Sequence, residues 1–195
     1  MPAIVDHDQR REHVASVAFE LVAELGIEAV TFRQVAGAAG ASTAIVSNYF
    51  DNKRHLLHEV YCIANRRVMD RLVAANAQGG ELLDILSTVL PVNEENRRVW
   101  YVWLAFWGRS HCDETFRMES ERNANDSLLL YRQMLAARYG RGEDDEQVDE
   151  LARRLIATVG GAALQGVLAP ANWPLAKLRE SIAAEIAILD AEAAA

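Results

Sequence analysis

The stretch TFRQVAGAAGASTAIVSNYFDNKRHLL, residues 31–57, decides the fold of this chain. Thr31 is a good helix N-cap because its hydroxyl can accept a hydrogen bond from the first helical turn. It precedes a short apolar pattern, which predicts a helix over Phe32–Ala39 that buries Val35 and Ala36. Gly40 then permits a sharp turn, so the first half of the stretch predicts a short helix with a tight exit.

A second short helix follows the turn. Ser42 or Thr43 is its N-cap, and Ile45 and Val46 are expected to face inward. Phe50 ends it. Two short helices joined by a glycine-containing turn of three or four residues are typical of a helix-turn-helix.

Longer helices flank this motif. The upstream helix covers about residues 7–25 and stops at Gly26, while Asp51 or Asn52 caps a downstream helix running from Lys53 to about Ala75. The upstream helix has an apolar stripe at helical spacing, expected to face inward: Val14, Val17, Ala18, Leu21, Val22 and Leu25.

Helical spacing of apolar residues continues to the end of the sequence, and patterns typical of strands are missing. Further helices are predicted over residues 81–90, 93–109, 113–139, 143–168 and 175–192. The expectation is an all-α fold of nine helices. Residues 1–52 form a three-helix N-terminal domain, and residues 53–195 form a larger helical domain for ligand sensing and dimerisation.

The composition bounds the class of protein. Of the 195 residues 51% are hydrophobic and 25% charged, which is typical of a soluble globular domain. The sequence has no membrane-length apolar run and no signal-peptide pattern, so a cytoplasmic protein is expected. Cys62 and Cys112 are too far apart to suggest a disulfide framework.

The net charge is −8, and residues 1–54 carry five basic against seven acidic side chains. DNA binding therefore depends on where the basic side chains point and not on their number.

The N-terminal sequence RREHVASVAFELVAELGIEAVTFRQVAGAAGASTAIVSNYFDNKRHLL, residues 10–57, resembles the DNA-binding domain of the TetR family. The matching landmarks are Ala18, Phe19, Gly26, Thr31, Val35, Ala36, Ala39, Gly40, Ser42, Tyr49, Phe50, Lys53 and Leu56. The resemblance implies a transcriptional repressor that binds palindromic operator DNA as a homodimer and is released by a small-molecule effector. It implies no enzymatic activity, no cofactor and no membrane partner.

The second short helix is predicted to enter the major groove. Its small side chains allow close approach to the bases, since Asn48 matches the edge of adenine and Ala44 a thymine methyl. No Lys or Arg lies within this helix, so recognition is expected to lean on Asn48, Thr43 and DNA shape. Ser42 and Ser47 complete the predicted surface on this helix.

Cations at the start of the long helix are unfavourable there unless a phosphate lies nearby, because the helix dipole is positive at that end. Lys53 and Arg54 are therefore predicted phosphate contacts. The resemblance implies the same role for Thr31, Arg33 and Tyr49. The alternative for Lys53 and Arg54 is that they are solvated and have no binding role. The alternative for Tyr49 is packing in the core.

Two stretches, STAIVSNYFDNKRHLL (42–57) and VWYVWLAFWGRSHCDETF (99–116), resemble the BetI branch of this family, which responds to choline. Trp100, Trp103 and Trp107 share one helical face, and the helix is so apolar that it is expected to be buried. It either packs the core or walls a pocket for a cationic ligand. The candidate ligand-binding residues are Trp100, Trp103, Phe106, Trp107, Phe116 and Asn123, with Glu119 and Asp126 as further possible polar partners.

The last two predicted helices carry more apolar residues than one core face needs, which indicates a partner subunit. Small residues at Gly160 and Gly161 permit close helix approach. A two-fold interface of four helices is expected, formed by Leu151, Leu155, Val159, Leu178, Ile182 and Ile186. The alternative is burial of these residues within one protomer.

The sequence also bears on two other classes of function, a metal-responsive sensor and an enzyme. His55, His58 and Cys62 lie at i, i+3 and i+7 of one helix, and imidazole and thiolate suit zinc or copper, so a metal-responsive sensor is the alternative hypothesis. An enzyme is not expected, because no catalytic triad order, phosphate-binding glycine loop or HExxH motif is present.

Overall fold

The computed structural model describes residues 3–194, with side chains from His7 onward, and this part of the chain contains helices and no strands. In chain order the helices are α1 (Ala3–Ala29), α2 (Phe32–Ala38), α3 (Thr43–Tyr49), α4 (Lys53–Ala77), α5 (Leu82–Ser87), α6 (Glu94–Ser110), α7 (Glu114–Tyr139), α8 (Glu146–Leu168) and α9 (Leu175–Ala193). The predicted all-α fold is confirmed for the described residues, and the helix ends differ from the prediction by about one turn or less.

Thr31 and Ser42 begin α2 and α3, as predicted. The Thr31 hydroxyl accepts a hydrogen bond from the backbone N–H of Gln34, and the Gln34 side chain accepts one from the Thr31 N–H at 3.0 Å, which makes a capping box. Ser42 Oγ accepts from the N–H of Ile45 at 3.3 Å. Gly40, with φ of +64°, turns the chain between the two helices. The helix-turn-helix therefore rests on local hydrogen bonds.

Gly26 interrupts α1 close to where the sequence predicted its end. Its φ of 77° and ψ of 165° lie outside the helical region, and helical structure resumes beyond it up to Ala29. Side chains are essentially excluded from this combination of angles. Gly26 therefore fixes the direction in which the chain leaves α1 for the helix-turn-helix.

Replacing Gly26 with alanine is expected to lower the free energy of unfolding by about 1–3 kcal/mol, because the new Cβ is incompatible with that backbone conformation. Gly37→Ala is the matched control. Gly37 is helical, exposed and has open space where a Cβ would be, so alanine there is expected to be neutral or to stabilise by up to about 1 kcal/mol. Chemical denaturation of both variants at one protein concentration measures the difference, and equal stabilities would contradict this role for Gly26.

The chain divides into two compact units. The first comprises the chain up to Arg67 together with Tyr101–Ser120, and the second comprises Val68–Trp100 and the chain from Glu121 onward. The three boundaries between the units therefore all fall within helices, at residues 67/68 in α4, 100/101 in α6 and 120/121 in α7. The functional boundary predicted between residues 52 and 53 stays a prediction.

The first unit has its own apolar core. Apolar residues between positions 14 and 64 that are at most 2% exposed form much of it: Val14, Ala15, Ala18, Phe19, Val22, Val30, Val35, Val46, Phe50, Leu56, Leu57, Val60, Tyr61 and Ala64. The aromatic ring of Phe19 lies under the Arg67 guanidinium at 4.1 Å. Leu25 differs from its expected inward position because it is 47% exposed. This core holds α2 and α3 against α1.

The second unit buries the face of α8 and α9 that was predicted to bind a partner subunit. The six residues concerned are at most 8% exposed in a single protomer: Leu151, Leu155, Val159, Leu178, Ile182 and Ile186. Gly166 lies so close to Leu178 that a Cβ built on it would be 3.0 Å from that side chain. These residues pack the protomer's own core, so their assignment to a dimer surface is corrected.

The aromatic helix α6 is buried on one side only. Trp100, Trp103 and Phe106 are buried, whereas Tyr101 and Trp107 are each 43% exposed. The expectation that α6 is buried all round is therefore wrong. None of the described helices, α6 included, has the length and apolar character needed to cross a bilayer.

Candidate DNA-binding surface and effector region

Helix α3 exposes a face of small side chains. The exposed residues are Thr43, Ala44, Ser47 and Asn48. Their spacing of i, i+1, i+4 and i+5 places them on one side of the helix. Val46 is fully buried and anchors α3, but Ile45, which was expected to face inward, is 39% exposed. The face available to a groove is thus small and polar, with one aliphatic side chain beside it.

The starts of α2 and α3 add three exposed residues to the predicted surface. The hydroxyls of Thr31 and Ser42 are already used as helix caps. Arg33 is exposed in the first turn of α2, and it has no ion-pair partner within residues 7–194. Its guanidinium is therefore available to an external anion.

Tyr49 lies half-buried at the end of α3. Its ring meets the ring of His7 edge-on, with centroids 4.8 Å apart, and lies 6.5 Å from the ring of Phe50. Part of the side chain thus packs inside the first unit and part remains at its surface. This position is compatible with both alternatives from the sequence, core packing and a phosphate contact.

The two cations at the start of α4 have intramolecular partners. Lys53 Nζ donates to the backbone carbonyl of Glu28 at 3.1 Å. Arg54 donates to Asp113 Oδ1 at 2.7 Å and to Thr115 Oγ1 at 2.6 Å. The hydrogen bond with Arg54 lowers the pKa of Asp113, so the ion pair is intact at neutral pH. A contact between Arg54 and a phosphate would require this pair to open.

A polar group lies beside the aromatic residues of the first unit. Trp103 donates through its indole N–H to Asn65 Oδ1 at 2.8 Å, and Asn65 donates in turn to Glu119 Oε1 at 2.8 Å. Both Asn65 and Glu119 are 5% exposed. The sequence analysis did not identify Asn65. Its spacing was the available signal, because Asn65 lies four residues after Tyr61 and three before Val68, on a stripe of core-facing residues where an amide is unusual. The amide of Asn65 thereby links the Trp103 indole to a buried carboxylate.

Trp107 forms the outer side of this aromatic group. Its ring stacks on Trp103 with centroids 6.2 Å apart and an interplanar angle of 15°. Its indole is also a hydrogen-bond partner of the Tyr61 hydroxyl. Burial raises the pKa of Tyr61, and the negative charge of Glu119 adds to that increase. An aromatic surface, partly open to solvent, therefore adjoins a buried anion.

The other predicted ligand-binding residues divide between the two units. The ring of Phe106 stacks on that of Tyr61, with centroids 4.9 Å apart, and its centroid lies 5.1 Å from that of Phe116. Both phenylalanines are almost fully buried, so they pack in the core. Trp100 belongs to the second unit, where its indole donates to the Val89 carbonyl at 3.0 Å. Asn123 is half-buried in that unit. Of the predicted ligand-binding residues, Trp103, Trp107 and Glu119 therefore lie together in the first unit.

The structure does not group His55 with His58 and Cys62. The ring of His55 packs edge-on against Phe50 at 5.6 Å, and its Nδ1 lies 3.4 Å from Asp51 Oδ2. His58 and Cys62 instead lie beside Glu119. The predicted triad of two histidines and one cysteine is therefore corrected at His55.

Both ends of the chain match known protein families. Residues 15–60 match the bacterial regulatory proteins of the tetR family, and residues 80–191 match the C-terminal domain of BetI-type transcriptional repressors. Together the two matches span most of the described chain. The second alone covers more than half of the sequence.

Relatives and solved structures agree with these matches. The chain is 28% identical to the HTH-type transcriptional regulator PksA of Bacillus subtilis over 175 residues, which cover 87% of this chain and 84% of that protein. It is 28% identical to the regulator BetI of Burkholderia thailandensis over 177 residues, which cover 87% of each. A Rhodococcus transcriptional regulator superposes with a TM-score of 0.79 at 25% identity, over 92% of this chain and 95% of that one.

A regulator from Saccharomonospora viridis, solved in complex with choline, superposes with a TM-score of 0.78 at 23% identity, over 92% of this chain and 96% of the other. At that identity the likeness concerns the fold. The homologues that match along the chain are transcriptional regulators and not enzymes. With its helix-turn-helix and its matched C-terminal domain, the chain belongs to the TetR family of bacterial regulators, in the BetI-type branch.

Proposed function

We propose that this regulator is a repressor that binds a near-palindromic operator as a homodimer and is released by an organic cation. Residues 1–52, together with Lys53 at the start of α4, contact the DNA, and residues 53–195 form the domain that senses the effector and dimerises. The observation that carries the proposal is the exposed small-residue face of α3, held in a capped helix-turn-helix. In the dimer the two α3 helices lie about 34–36 Å apart and enter successive major grooves.

Base recognition depends on short side chains. Asn48 pairs with the N6 and N7 edge of adenine, and Ala44 meets a thymine methyl, while Thr43 and Ser47 donate or accept single hydrogen bonds. The cations that remain for phosphates are Arg33 and Lys53, whose ammonium can turn from the Glu28 carbonyl. With so few charges, binding is expected to weaken only modestly as salt is raised.

The dimer uses the outer face of α8 and α9. Because the leucine and isoleucine stripes are used within the protomer, the surface left for a partner is the exposed set Ala157, Gly161, Leu168, Ala184, Ala187 and Ile188. A Cβ built on Gly160 or Gly161 meets no atom within 4 Å in the protomer. Small residues on this face allow a second copy of the two helices to approach closely, which gives a self-complementary interface of four helices.

The effector is an organic cation, with choline as the representative probe. The stacked indoles of Trp103 and Trp107 offer the π-faces that attract quaternary ammonium groups. The buried carboxylate of Glu119 supplies the opposite charge. The choline complex of the Saccharomonospora viridis regulator supports this class of ligand.

Helix α4 couples effector binding to release of the DNA. It begins beside the recognition helix and carries Asn65 next to the effector region. The Arg54–Asp113 ion pair joins the start of α4 to the residue just before α7, which is two positions before Thr115 and six before Glu119. A cation that binds at Glu119 favours one position of these helices over another. The coupling between effector and DNA is expected to be about 1–3 kcal/mol.

Replacing Glu119 with glutamine is expected to raise the dissociation constant for choline by about 10- to 100-fold. The change removes the opposite charge that attracts the ammonium group, and the attraction between charges about 4 Å apart is on the order of a few kcal/mol at the effective dielectric constant of a protein. Fluorescence anisotropy of labelled DNA from the regulator's own upstream region measures both binding and choline-induced release. Glu121→Gln, the same change at an exposed position of α7, is the control and keeps the wild-type response. Unchanged release in Glu119→Gln would contradict the effector assignment, and failure of the wild type to bind that DNA would contradict the placement of its operator in that region.

A further inference from the structure

We propose that His58, Cys62 and Glu119 form a binding site for a divalent transition metal of the zinc type. His58 and Cys62 lie at i and i+4 on α4, so one turn of helix brings their side chains together. Glu119 comes from α7. The three candidate ligand atoms all lie within 4.8 Å of one another. This site goes beyond the proposed repressor function, because DNA binding uses none of its three residues and recognition of an organic cation uses only Glu119, not His58 or Cys62.

The distances are close to those of a coordination sphere. Cys62 Sγ lies 3.8 Å from the ring nitrogens of His58, and His58 Nε2 lies 4.0 Å from Glu119 Oε2. Zinc bond lengths imply ligand–ligand separations of about 3.4–3.6 Å in a tetrahedral site. Small rotations of the His58 ring and the Cys62 thiol therefore close the site without moving either helix.

The chemistry of the three ligands favours zinc over magnesium or calcium. An imidazole nitrogen, a thiolate and a carboxylate match the borderline-soft character of Zn²⁺, whereas hard cations prefer oxygen ligands alone. When the metal binds, the Cys62 S–H bond loses its proton to solvent and a metal–sulfur bond forms. The thiolate and the carboxylate then supply two negative charges to the divalent ion, and one position remains for water or a small ligand.

The surroundings of the site are suited to holding a metal. Glu119 is 5% exposed, and Asn65 donates a hydrogen bond to its other oxygen, Oε1, which orients Oε2 toward His58. Outer partners of this kind typically tune metal affinity by about 10- to 100-fold. His58 also lines an open depression of about 210 Å³ with Asn52, Arg54, His55 and Thr115, which gives an ion a path from solvent.

Titration of the metal-free protein with Co²⁺ tests this proposal, because a thiolate bound to Co²⁺ produces a charge-transfer band in the near ultraviolet. The expected result is one Co²⁺ per chain, displaced by Zn²⁺. Cys62→Ser abolishes the band, and His58→Ala and Glu119→Gln weaken binding at least about 10-fold. His55→Ala and Cys112→Ser are the matched controls and retain the band. Thermal unfolding establishes that each variant is folded, and Cys62→Ala replaces Cys62→Ser if the latter is not.

Absence of the band in the wild type, its survival in both Cys62 variants, or its loss in Cys112→Ser would each overturn the proposal. Operator binding and choline release by Cys62→Ser are measured on the same samples. Before metal is added they stay at wild-type levels, because the proposed organic-cation site uses Glu119 and not Cys62, so a failure of the metal proposal leaves the repressor proposal intact.

Discussion

The Gly161→Glu variant is expected to be monomeric in solution and to bind its operator about 10³-fold more weakly than the wild type, near the non-specific level. In the proposed dimer this position meets the partner's α8 and α9, where a carboxylate would be buried without an opposite charge at a cost of several kcal/mol. In the protomer the position is exposed, and a Cβ there meets no atom within 4 Å. The variant should therefore fold normally and fail only in assembly.

Gly108→Glu is the matched control for this experiment. Gly108 is also an exposed helical glycine with open space around it, but it lies on α6 in the first unit, whereas the proposed interface uses helices of the second unit. Sedimentation velocity gives the oligomeric state, and anisotropy with operator DNA gives the affinity. A dimeric Gly161→Glu protein with full operator affinity would exclude this face of α8 and α9 as the interface.

Helices α8 and α9 show what helical periodicity predicts and what it leaves open. The apolar spacing on α8 and α9 correctly indicated two helices with strongly apolar faces. Leu151 and Ile182 are the large, regularly spaced residues, and for that reason they fill the protomer's own core. The face left outside consists mainly of alanine and glycine, with Leu168 and Ile188 as its only large residues in the set named above. So weak a hydrophobic signal cannot be separated from ordinary helix composition in a sequence.

Local structure was predictable because its causes are local. The Thr31 capping box, the Ser42 cap and the turn at Gly40 depend on residues three or four positions apart, and the sequence displays all of them. The same reasoning placed the break in α1 at Gly26. These features, together with the stretch that resembles the TetR family, were sufficient to predict the fold and the class of function.

The composition of the site was less predictable, because distant residues complete it. Arg54 pairs with Asp113, 59 positions later, so its charge is not simply free for DNA. Glu119 joins His58 and Cys62 in place of His55, although His55 fits the helical spacing equally well. Asn65 is identified as a partner of Glu119 only when α4 and α7 are placed side by side. Spacing along one helix cannot supply a ligand from another.

The Asn48→Ala variant is expected to lose operator affinity by about 30- to 10⁴-fold, because each of the two half-sites of the dimer loses a bidentate contact to adenine worth about 1–3 kcal/mol. The loss should depend on sequence. Binding to non-specific DNA, which depends on phosphate contacts, should change little. Asn48 is exposed on α3 and its substitution removes no buried group, so the stability of the fold is expected to be unchanged.

Two further variants separate base recognition from backbone binding. Lys53→Ala is expected to weaken binding to specific and non-specific DNA alike and to reduce the dependence on salt, since it removes one phosphate contact per protomer. Asn125→Ala, at an exposed asparagine on α7, is the control for Asn48→Ala and retains wild-type affinity.

The decisive measurement is the operator affinity of Asn48→Ala and Lys53→Ala beside the wild type, with operator and scrambled DNA of equal length at two salt concentrations. If the α3 face recognises bases while the start of α4 contacts the backbone, Asn48→Ala loses most of the preference for operator over scrambled DNA. Lys53→Ala keeps that preference at lower overall affinity. Operator binding that is unchanged in both variants would contradict the assignment of this surface to DNA.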